Sequence, residues 1–303
     1  MFMQIKLKDS QNFLYDSQLV KKLINLTSIN KFDIVYEMGP GKGIITKELD
    51  KIVQKVIAVE IDKNLADNLK TQFKNSNTSI INGDFLNFSL PKTNYTFVSN
   101  MPFNLTAQIL NKILDYDNSP VKSYLIMQYE AFLKYSGAPY YSESFRSILY
   151  KPFFSSQLLY TFSQYDFKPS PNAKIVFVSF IKKDLPDINI ELKNDYYDFV
   201  AFLYLQKGKT FKEKTSKIFS NLQQKKIITE FKIDLNATIS TWSYTLILNL
   251  FNLYTKYVSK DKKKYVLNSY KKMSEQQNNI SKLHRNRKAL YSKQHINQNN
   301  KND

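Results

Sequence analysis

Short apolar runs alternate with amphipathic segments through the first half of the chain. The apolar runs predict buried strands at residues 34–37, 55–59, 79–81, 95–99 and 124–127. Apolar positions at helical spacing predict helices at residues 44–52, 65–73 and 105–114. Strand–helix units with short connections indicate an α/β fold, in which helices cover both faces of a parallel sheet.

The pattern changes in the second half of the chain. Apolar runs at 157–165 and 175–181 flank a proline-rich turn, which predicts an antiparallel hairpin at the sheet edge because two nearby prolines forbid a helix. Beyond the polar sequence at 184–187 the apolar spacing becomes helical, and beyond residue 258 it is lost. We therefore predict three regions: an α/β domain at 1–184, a small helical domain at 185–258, and a basic, mobile tail at 259–303 that is at most partly helical.

Composition removes several classes of functional site. The chain of 303 residues has no cysteine, which excludes disulfides, thiolate-bound metals and cysteine nucleophiles. Its two histidines, His284 and His295, lie in the polar tail, so we expect neither a histidine-based triad nor a metal site. No apolar run has the length of a membrane span, and residues 1–8 are too short and too polar for a secretory signal. We expect a cytoplasmic monomer without a membrane partner.

The charge of the chain points to a polyanionic partner. Lysine and arginine number 44 against 26 aspartates and glutamates, which gives a formal charge of +18. Half of this excess lies at residues 259–303, which hold 12 basic and 3 acidic residues. Biased composition is the alternative explanation, because only three of the basic residues are arginine while Lys, Asn and Ile abound, as in an AT-rich genome. Nucleic-acid binding is the interpretation that we favour.

Three strand ends carry residues suited to a nucleoside. The glycine-rich sequence at 37–43 follows the first strand, and its G-x-G-x-G spacing differs from the G-x-G-x-x-G of dinucleotide folds. Glu60 ends the second strand, where its carboxylate could accept hydrogen bonds from two ribose hydroxyls. Asp84 follows the third strand and could accept from an adenine amino group beside Phe85. The alternative is an ordinary glycine turn with surface acids, but the shared strand-end placement favours a nucleoside pocket.

The fourth strand ends in Asn100, Met101, Pro102 and Phe103. Pro102 restricts the backbone, so the Asn100 side chain and the Met101 carbonyl are held in one geometry. Two such acceptors on an adenine amine would draw its nitrogen toward sp³ character and localise the lone pair for attack. Phe103 offers a flat face on which a flipped base could stack. The alternative is a proline turn with an aromatic plug.

Over residues 9–258 the chain resembles the rRNA adenine N6-dimethyltransferases, which include the KsgA housekeeping enzymes and the Erm macrolide-resistance enzymes. The motifs that carry the resemblance stand in family order at residues 10–14, 36–43, 60–62, 83–84, 100–103 and 167–171. The resemblance implies a Rossmann-like S-adenosylmethionine-dependent methyltransferase sheet with a small C-terminal α-helical domain. It also implies S-adenosylmethionine as cofactor and rRNA as partner.

The resemblance assigns roles to individual residues. It implies cofactor binding by Asn12, Leu14, Gly39, Gly41, Glu60, Asp84 and Asn100, and catalysis by Asn100, Met101, Pro102 and Phe103. Asn12 and Leu14 would close over the methionine end of the cofactor, which Gly39 would back. Asn100 would face the transferable methyl group.

Particular residues bear on the branch of the family. Residues 35–39 and 41–43, with Leu105 and Gln108, look more like the Erm enzymes, whereas 167–171 fits both branches. On this basis we expect methylation of 23S rRNA, and hence macrolide–lincosamide–streptogramin resistance. The alternatives are methylation of 16S rRNA in small-subunit maturation and a non-catalytic nucleic-acid-binding relative.

The chain also departs from the family pattern. Phe103 stands where Erm enzymes commonly have tyrosine, and Met101 replaces the usual Ile or Leu; both substitutions keep size and stacking ability. Residues 130–135 lack the usual basic pair, and 173–175 replace a Val-x-Ser pattern, which bears on the RNA contacts. The basic tail is not general in either branch, and a solvated appendage or an RNA clamp would both account for it.

Overall fold

Each apolar run predicted in the first half of the chain forms a strand in the computed structural model, which describes residues 13–115 and 118–276. The described chain divides into two units, residues 13–141 with Tyr150–Asp187, and Ser142–Leu149 with 188–276. None of the described helices is long and apolar enough to cross a membrane.

The first unit is built from nine strands and five helices among its described residues. The strands are β1 (Phe13–Leu14), β2 (Ile34–Met38), β3 (Lys55–Glu60), β4 (Thr78–Asn82), β5 (Thr96–Asn100), β6 (Lys122–Gln128), β7 (Phe154–Thr161), β8 (Phe167–Lys168) and β9 (Ile175–Lys182). The helices are α1 (Ser17–Asn25), α2 (Ile44–Asp50), α3 (Lys63–Gln72), α4 (Thr106–Asp115) and α5 (Tyr129–Ser136).

Seven strands form one sheet in the order β4-β3-β2-β5-β6-β9-β7. The five strands from β4 to β6 are parallel, and β9 runs antiparallel to both β6 and β7. The central strands are apolar on both faces because helices cover the sheet on both sides. The predicted α/β class and the helical C-terminal region are confirmed, and the antiparallel hairpin lies at the sheet edge as expected.

A second, two-stranded sheet was not predicted. Strand β1 pairs antiparallel with β8, with Phe13 opposite Lys168 and Leu14 opposite Phe167. The apolar run predicted as one strand at 157–165 therefore ends early: β7 stops at Thr161, and residues 164–166 form a turn of 3₁₀-helix. Strands of two residues show no alternation long enough to be recognised in a sequence.

The second unit is helical throughout its described residues. Its helices are α6 (Phe145–Tyr150, of which Tyr150 belongs to the first unit), α7 (Lys193–Leu205), α8 (Phe211–Thr215), α9 (Asn221–Glu230), α10 (Tyr244–Tyr257) and α11 (Lys260–Lys263), and residues 269–276 are helical as well. Aromatic side chains fill its interior: the rings of Phe199 and Tyr254 lie 4.9 Å apart, and those of Tyr196 and Phe251 5.1 Å apart. Such contacts between α7 and α10 form the core of the unit.

Residues 142–149 belong to the second unit, although the predicted first domain includes them. The Tyr196 hydroxyl donates a hydrogen bond to the Ile148 carbonyl at 2.9 Å, and the Phe145 and Tyr204 rings lie 5.1 Å apart. The apolar pattern of so short a helix identifies its buried face but not the core that it joins.

The beginning of the predicted tail packs on α7. The backbone N–H groups of Asn268 and Tyr270 both donate to the Asp198 carboxylate, at 2.7 and 2.9 Å. Val266 and Ser269 are buried. Residues 259–276 therefore continue the second unit, whereas the rest of the predicted mobile tail, 277–303, lies outside the described residues.

Candidate active site

A cavity lies at the carboxyl ends of the parallel strands β2, β3, β4 and β5. It is lined by eight of the predicted site residues: Leu14, Gly39, Glu60, Asp84, Asn100, Met101, Pro102 and Phe103. Gly41 is not in its lining but contacts residues that are, and Asn12 lies outside the described residues. The parallel topology brings these residues together because successive strands end at the same edge of the sheet.

Two glycines in the loop between β2 and α2 allow close approaches of the backbone beside the cavity. Gly39 has a φ of +66°, and a Cβ built on it would have no heavy atom within 4 Å, so the space beside it is open. Gly41 has a φ of +58°, and a Cβ there would lie 2.8 Å from Cε1 of Phe13. Only glycine fits both the backbone conformation and this close approach.

Two backbone N–H groups fix the carboxylate of Glu60. Gly41 N donates to Oε2 and Asp62 N donates to Oε1, each at 3.0 Å, and the side chain is buried. A carboxylate oxygen has two lone pairs, so each oxygen can accept a further hydrogen bond. The arrangement orients Glu60 toward the cavity that it lines while leaving it able to accept from a ligand.

The neighbouring carboxylate of Glu37, unlike that of Glu60, has an oxygen without a hydrogen-bond partner in the described part of the chain. It lies in the central strand β2, is buried, and its Oε2 has no hydrogen-bond partner among the described residues. Burial raises the pKa of Glu37 to about 8, the Thr46 hydroxyl opposes this rise, and the Glu60 carboxylate adds to it. The Glu37 side chain is therefore mostly protonated at neutral pH. The sequence motif contains Glu37, but a motif carries no information about a missing partner.

The loop after β4 is held by its own carboxylate and by one lysine. Asp84 Oδ1 accepts from the backbone N–H of Leu86 at 2.8 Å. The Lys112 ammonium, on α4, donates to the carbonyls of Leu86 and Phe88 at 2.8 and 2.6 Å, and lies 5.5 Å from the centroid of the Phe85 ring. Burial lowers the pKa of Lys112, and the Asp84 carboxylate opposes this shift.

Sequence reasoning missed Lys112. It is one lysine among many on an amphipathic helix, and its two acceptors are main-chain carbonyls about two dozen residues earlier in the chain. The sequence of α4 therefore gives no sign that this lysine fixes a loop. Only the tertiary structure identifies it as a support for the Asp84 side of the cavity.

Residues 100–103 turn from the end of β5 into α4. Asn100 is the last residue of β5, and the N–H of Met101 donates to the carbonyl of Ile126 in the neighbouring strand at 2.9 Å. The Pro102 carbonyl accepts from Leu105 N at 3.0 Å, which closes the turn. Phe103 is partly buried against the core and also lines the cavity. Asn100, Met101 and Phe103 therefore all line the same cavity.

The chain matches known proteins over most of its length. The family model described as ribosomal RNA adenine dimethylase matches residues 2–256. An rRNA adenine N-6-methyltransferase of Bacteroides fragilis is 30% identical over 244 residues, which cover 80% of this chain and 90% of the relative. The ribosomal RNA small subunit methyltransferase A of Mycoplasmopsis pulmonis is 30% identical over 233 residues, covering 76% and 90%.

Solved structures with the same fold cover 80% of the chain. The 23S rRNA methyltransferase ErmE has a TM-score of 0.72 at 21% identity, with all of its chain covered. A dimethyladenosine transferase from Plasmodium falciparum has a TM-score of 0.64 at 19% identity, with 98% of its chain covered. At these identities the likeness establishes the fold.

Methyltransferases of this family use S-adenosylmethionine, and the cavity fits such a ligand. An oriented, buried carboxylate at Glu60 and a second carboxylate at Asp84 suit the donors of a nucleoside, and the open space at Gly39 leaves room for an adjoining group. The resemblance that the motifs indicated is confirmed. The chain belongs to the ribosomal RNA adenine dimethylase family, the S-adenosylmethionine-dependent rRNA adenine N6-methyltransferases.

Proposed function

We propose that the chain transfers methyl groups to the N6 of an adenine in 23S rRNA, and thereby confers resistance to macrolides, lincosamides and streptogramins. The observation that carries the catalytic part is the single cavity that Glu60, Asp84, Asn100 and Phe103 share. The 23S target rests on the Erm-like sequence around the glycine loop and after Phe103.

The cofactor half of the cavity contains the proposed nucleoside contacts. Glu60 would accept hydrogen bonds from the ribose hydroxyls through the lone pairs that its two backbone donors leave available. Asp84 would accept from the adenine amino group of the cofactor. Leu14 would close over the methionine end and Gly39 would back it, and Asn12 remains a proposed contact outside the described residues.

S-adenosylmethionine, when bound, supplies an electrophilic methyl group on its sulfonium. The Asn100 side-chain oxygen and the Met101 carbonyl would accept hydrogen bonds from the two N–H bonds of the target amine. These bonds localise the nitrogen lone pair, which is otherwise delocalised into the purine ring. Phe103 would stack on the target base once that base has left its RNA helix. Pro102 would fix the positions of the two acceptors relative to each other. The amine proton is lost to solvent, so no histidine is required.

Basic residues would hold the RNA by its phosphates. The described beginning of the tail carries Lys260, Lys262, Lys263 and Lys264, and the second unit carries further lysines. Lysine contacts to phosphate release counterions, so RNA affinity should fall steeply with salt. We propose that the protein acts in this way as a cytoplasmic monomer.

The second candidate function is methylation of 16S rRNA in small-subunit maturation. It is favoured by the 30% identity to the Mycoplasmopsis pulmonis relative, whose name assigns it to the small subunit. The chemistry at Asn100 would be the same, so the two functions differ only in the RNA that reaches the cavity.

Expression in a macrolide-susceptible bacterium, followed by primer extension across both rRNAs, tests the proposal. A stop at the macrolide-site adenine of 23S rRNA, together with drug resistance, is the expected result, and the Asn100→Ala variant is the inactive control. A change confined to the 3′ end of 16S rRNA would establish the second function instead. A chain that modifies neither rRNA and binds no cofactor would be a non-catalytic relative.

A further inference from the structure

An exposed aromatic cluster adjoins the two-stranded sheet of the first unit. We call Tyr15, Tyr165 and Lys168 the tyrosine rim. The Tyr15 hydroxyl donates to the Tyr165 carbonyl at 2.5 Å, and the Lys168 ammonium lies 4.6 Å from the centroid of the Tyr15 ring. Tyr15 is nevertheless 51% exposed and Tyr165 71% exposed. The hydrogen bond orients the Tyr15 ring, but the core of the unit does not bury it.

The tyrosine rim is continuous with the wall of the cavity. Leu14 and Phe167 line the cavity and face each other in the β1–β8 pairing. Tyr15 directly follows Leu14, and Lys168 directly follows Phe167. Neighbouring residues of an extended chain are about 3.3 Å apart, and neither Tyr15 nor Lys168 lines the cavity itself. The rim therefore adjoins, on the outside, the wall that would hold the target adenine and the cofactor.

Lys168 supplies the rim with a cation that could contact a phosphate. Among the described residues, Lys168 has no carboxylate within salt-bridge distance. The two nearest acids in sequence are occupied locally: Asp16 accepts from Gln18 N at 2.8 Å, and Asp166 accepts from Ser163 N at 2.8 Å. A lysine without an acidic partner beside an oriented, exposed ring is the combination that binds single-stranded nucleic acid.

We propose that the tyrosine rim stacks the nucleotide next to the target adenine. Flipping an adenine out of a helix removes a stacking partner from its neighbour, and the Tyr15 ring would replace that partner while Lys168 contacts the adjoining phosphate. This inference rests on the proposed function and adds a surface that binds RNA outside the catalytic cavity. It accounts for exposed aromatic side chains that the packing of the first unit does not require.

The test measures methyl transfer to an rRNA-derived oligonucleotide by the full chain. Tyr15→Ala should raise the KM for RNA about 5- to 150-fold, the range expected for one stacked base, with kcat and cofactor affinity little changed. Tyr15→Phe keeps the ring and should restore a near-normal KM. Phe32→Ala is the matched control: Phe32 is 76% exposed under the Lys31 ammonium, but it precedes β2 and so lies at the opposite, amino end of the parallel strands.

A second substrate identifies the stacked base. The nucleotide on either side of the target adenine is made abasic in turn. With one of these abasic RNAs, the KM of the wild-type enzyme should rise as much as the KM of Tyr15→Ala rises with intact RNA. The KM of Tyr15→Ala should rise little further with that abasic RNA.

An unchanged KM in Tyr15→Ala would overturn the inference. So would a rise in KM from wild type to Tyr15→Ala that is equally large with intact and with abasic RNA. A higher KM for RNA in Lys168→Gln without one in Tyr15→Ala would also overturn it, because the rim would then bind phosphate alone. Failure of the wild-type enzyme to methylate any rRNA adenine would instead refute the proposed function.

Discussion

The two halves of the cavity are organised differently. In the cofactor half, the Glu60 and Asp84 carboxylates are tied to backbone N–H groups of their own loops. In the target half, Asn100 and Met101 are placed by strand pairing and by Pro102, and Phe103 is only partly buried. In the proposed mechanism, the first half is a preformed receptor for the cofactor. The second half would present acceptors and a ring that become a complete site only when RNA delivers a base.

The largest effect should come from the target half. Asn100→Ala would remove the acceptor that we propose for the target amine, and Phe103→Ala would remove the proposed stacking face. Each should lower kcat for methyl transfer by at least about 100-fold, the scale of losing one preorganised polar contact to a transition state. Cofactor affinity, measured by calorimetry, should remain largely intact. Wild-type activity in either variant would contradict the proposed mechanism.

Gly41→Ala should be the next most damaging change, and it acts on the cofactor half. The new methyl group would meet the Phe13 ring at 2.8 Å, at a φ that costs a side chain about 1–2 kcal/mol. We expect a lower melting temperature and cofactor affinity weakened about tenfold or more. Gly83→Ala is the control for stability, because a Cβ there meets nothing within 4 Å. Equal melting temperatures for the two variants would show that the Gly41–Phe13 approach is unimportant.

Lys112→Met should separate cofactor binding from catalysis. The substitution keeps the length of the side chain but removes two part-buried, charge-assisted hydrogen bonds, each contributing at most about 1.5–3 kcal/mol, from the loop that carries Asp84. Part of the lost free energy disorders the loop, and only the remainder weakens cofactor binding. We therefore expect the cofactor KM to rise about tenfold while kcat at saturation changes little.

Two further variants make that result specific. Lys112→Arg should recover part of the affinity because it keeps a donor and a charge. Lys70→Met, at an exposed lysine of α3 paired with Asp67 at 3.1 Å, should have no effect. A fall in kcat without a change in cofactor KM would show that Lys112 does not support the adenine loop.

The smallest expected effect is a change in pH dependence at Glu37. Its pKa in the folded chain, about 8, lies above the ordinary value of 4.5, so the folded state binds the proton more tightly. The associated stability is fully present below pH 4.5 and is lost as the pH rises toward and through about 8. Glu37→Gln should flatten this decline, measured as the melting temperature between pH 5 and pH 8.5. A parallel decline in both proteins would exclude Glu37 as its source.

The sheet was predictable because its residues repeat a strong physical pattern. Apolar runs such as 95–99 and helical spacing such as 105–114 each extend over enough residues to define a period, and strand ends then place Glu60, Asp84 and Asn100 at one edge. The roles of these residues remain predictions, but their convergence on one cavity was foreseeable from topology alone.

The features that were missed depend on contacts distant in sequence. The β1–β8 pairing joins segments about 150 residues apart, and Lys112 recognises carbonyls rather than side chains. The anchoring of residues 259–276 includes one carboxylate, that of Asp198, which accepts from two backbone N–H groups. A lysine-rich segment gives no sign of such an anchor, because composition describes its average polarity and not its partners.

The excursion of Ser142–Leu149 into the second unit means that the polypeptide passes between the units three times. A truncation after Asp187 would therefore remove the helices that cover Ile148 and Leu149, both of which are fully buried in the whole chain. Grafting a helical module from one family member onto the sheet of another requires two coordinated cuts rather than one. Exchange of this module by a single recombination event would leave Ser142–Leu149 without the helices against which it packs. This favours inheritance of the two units together.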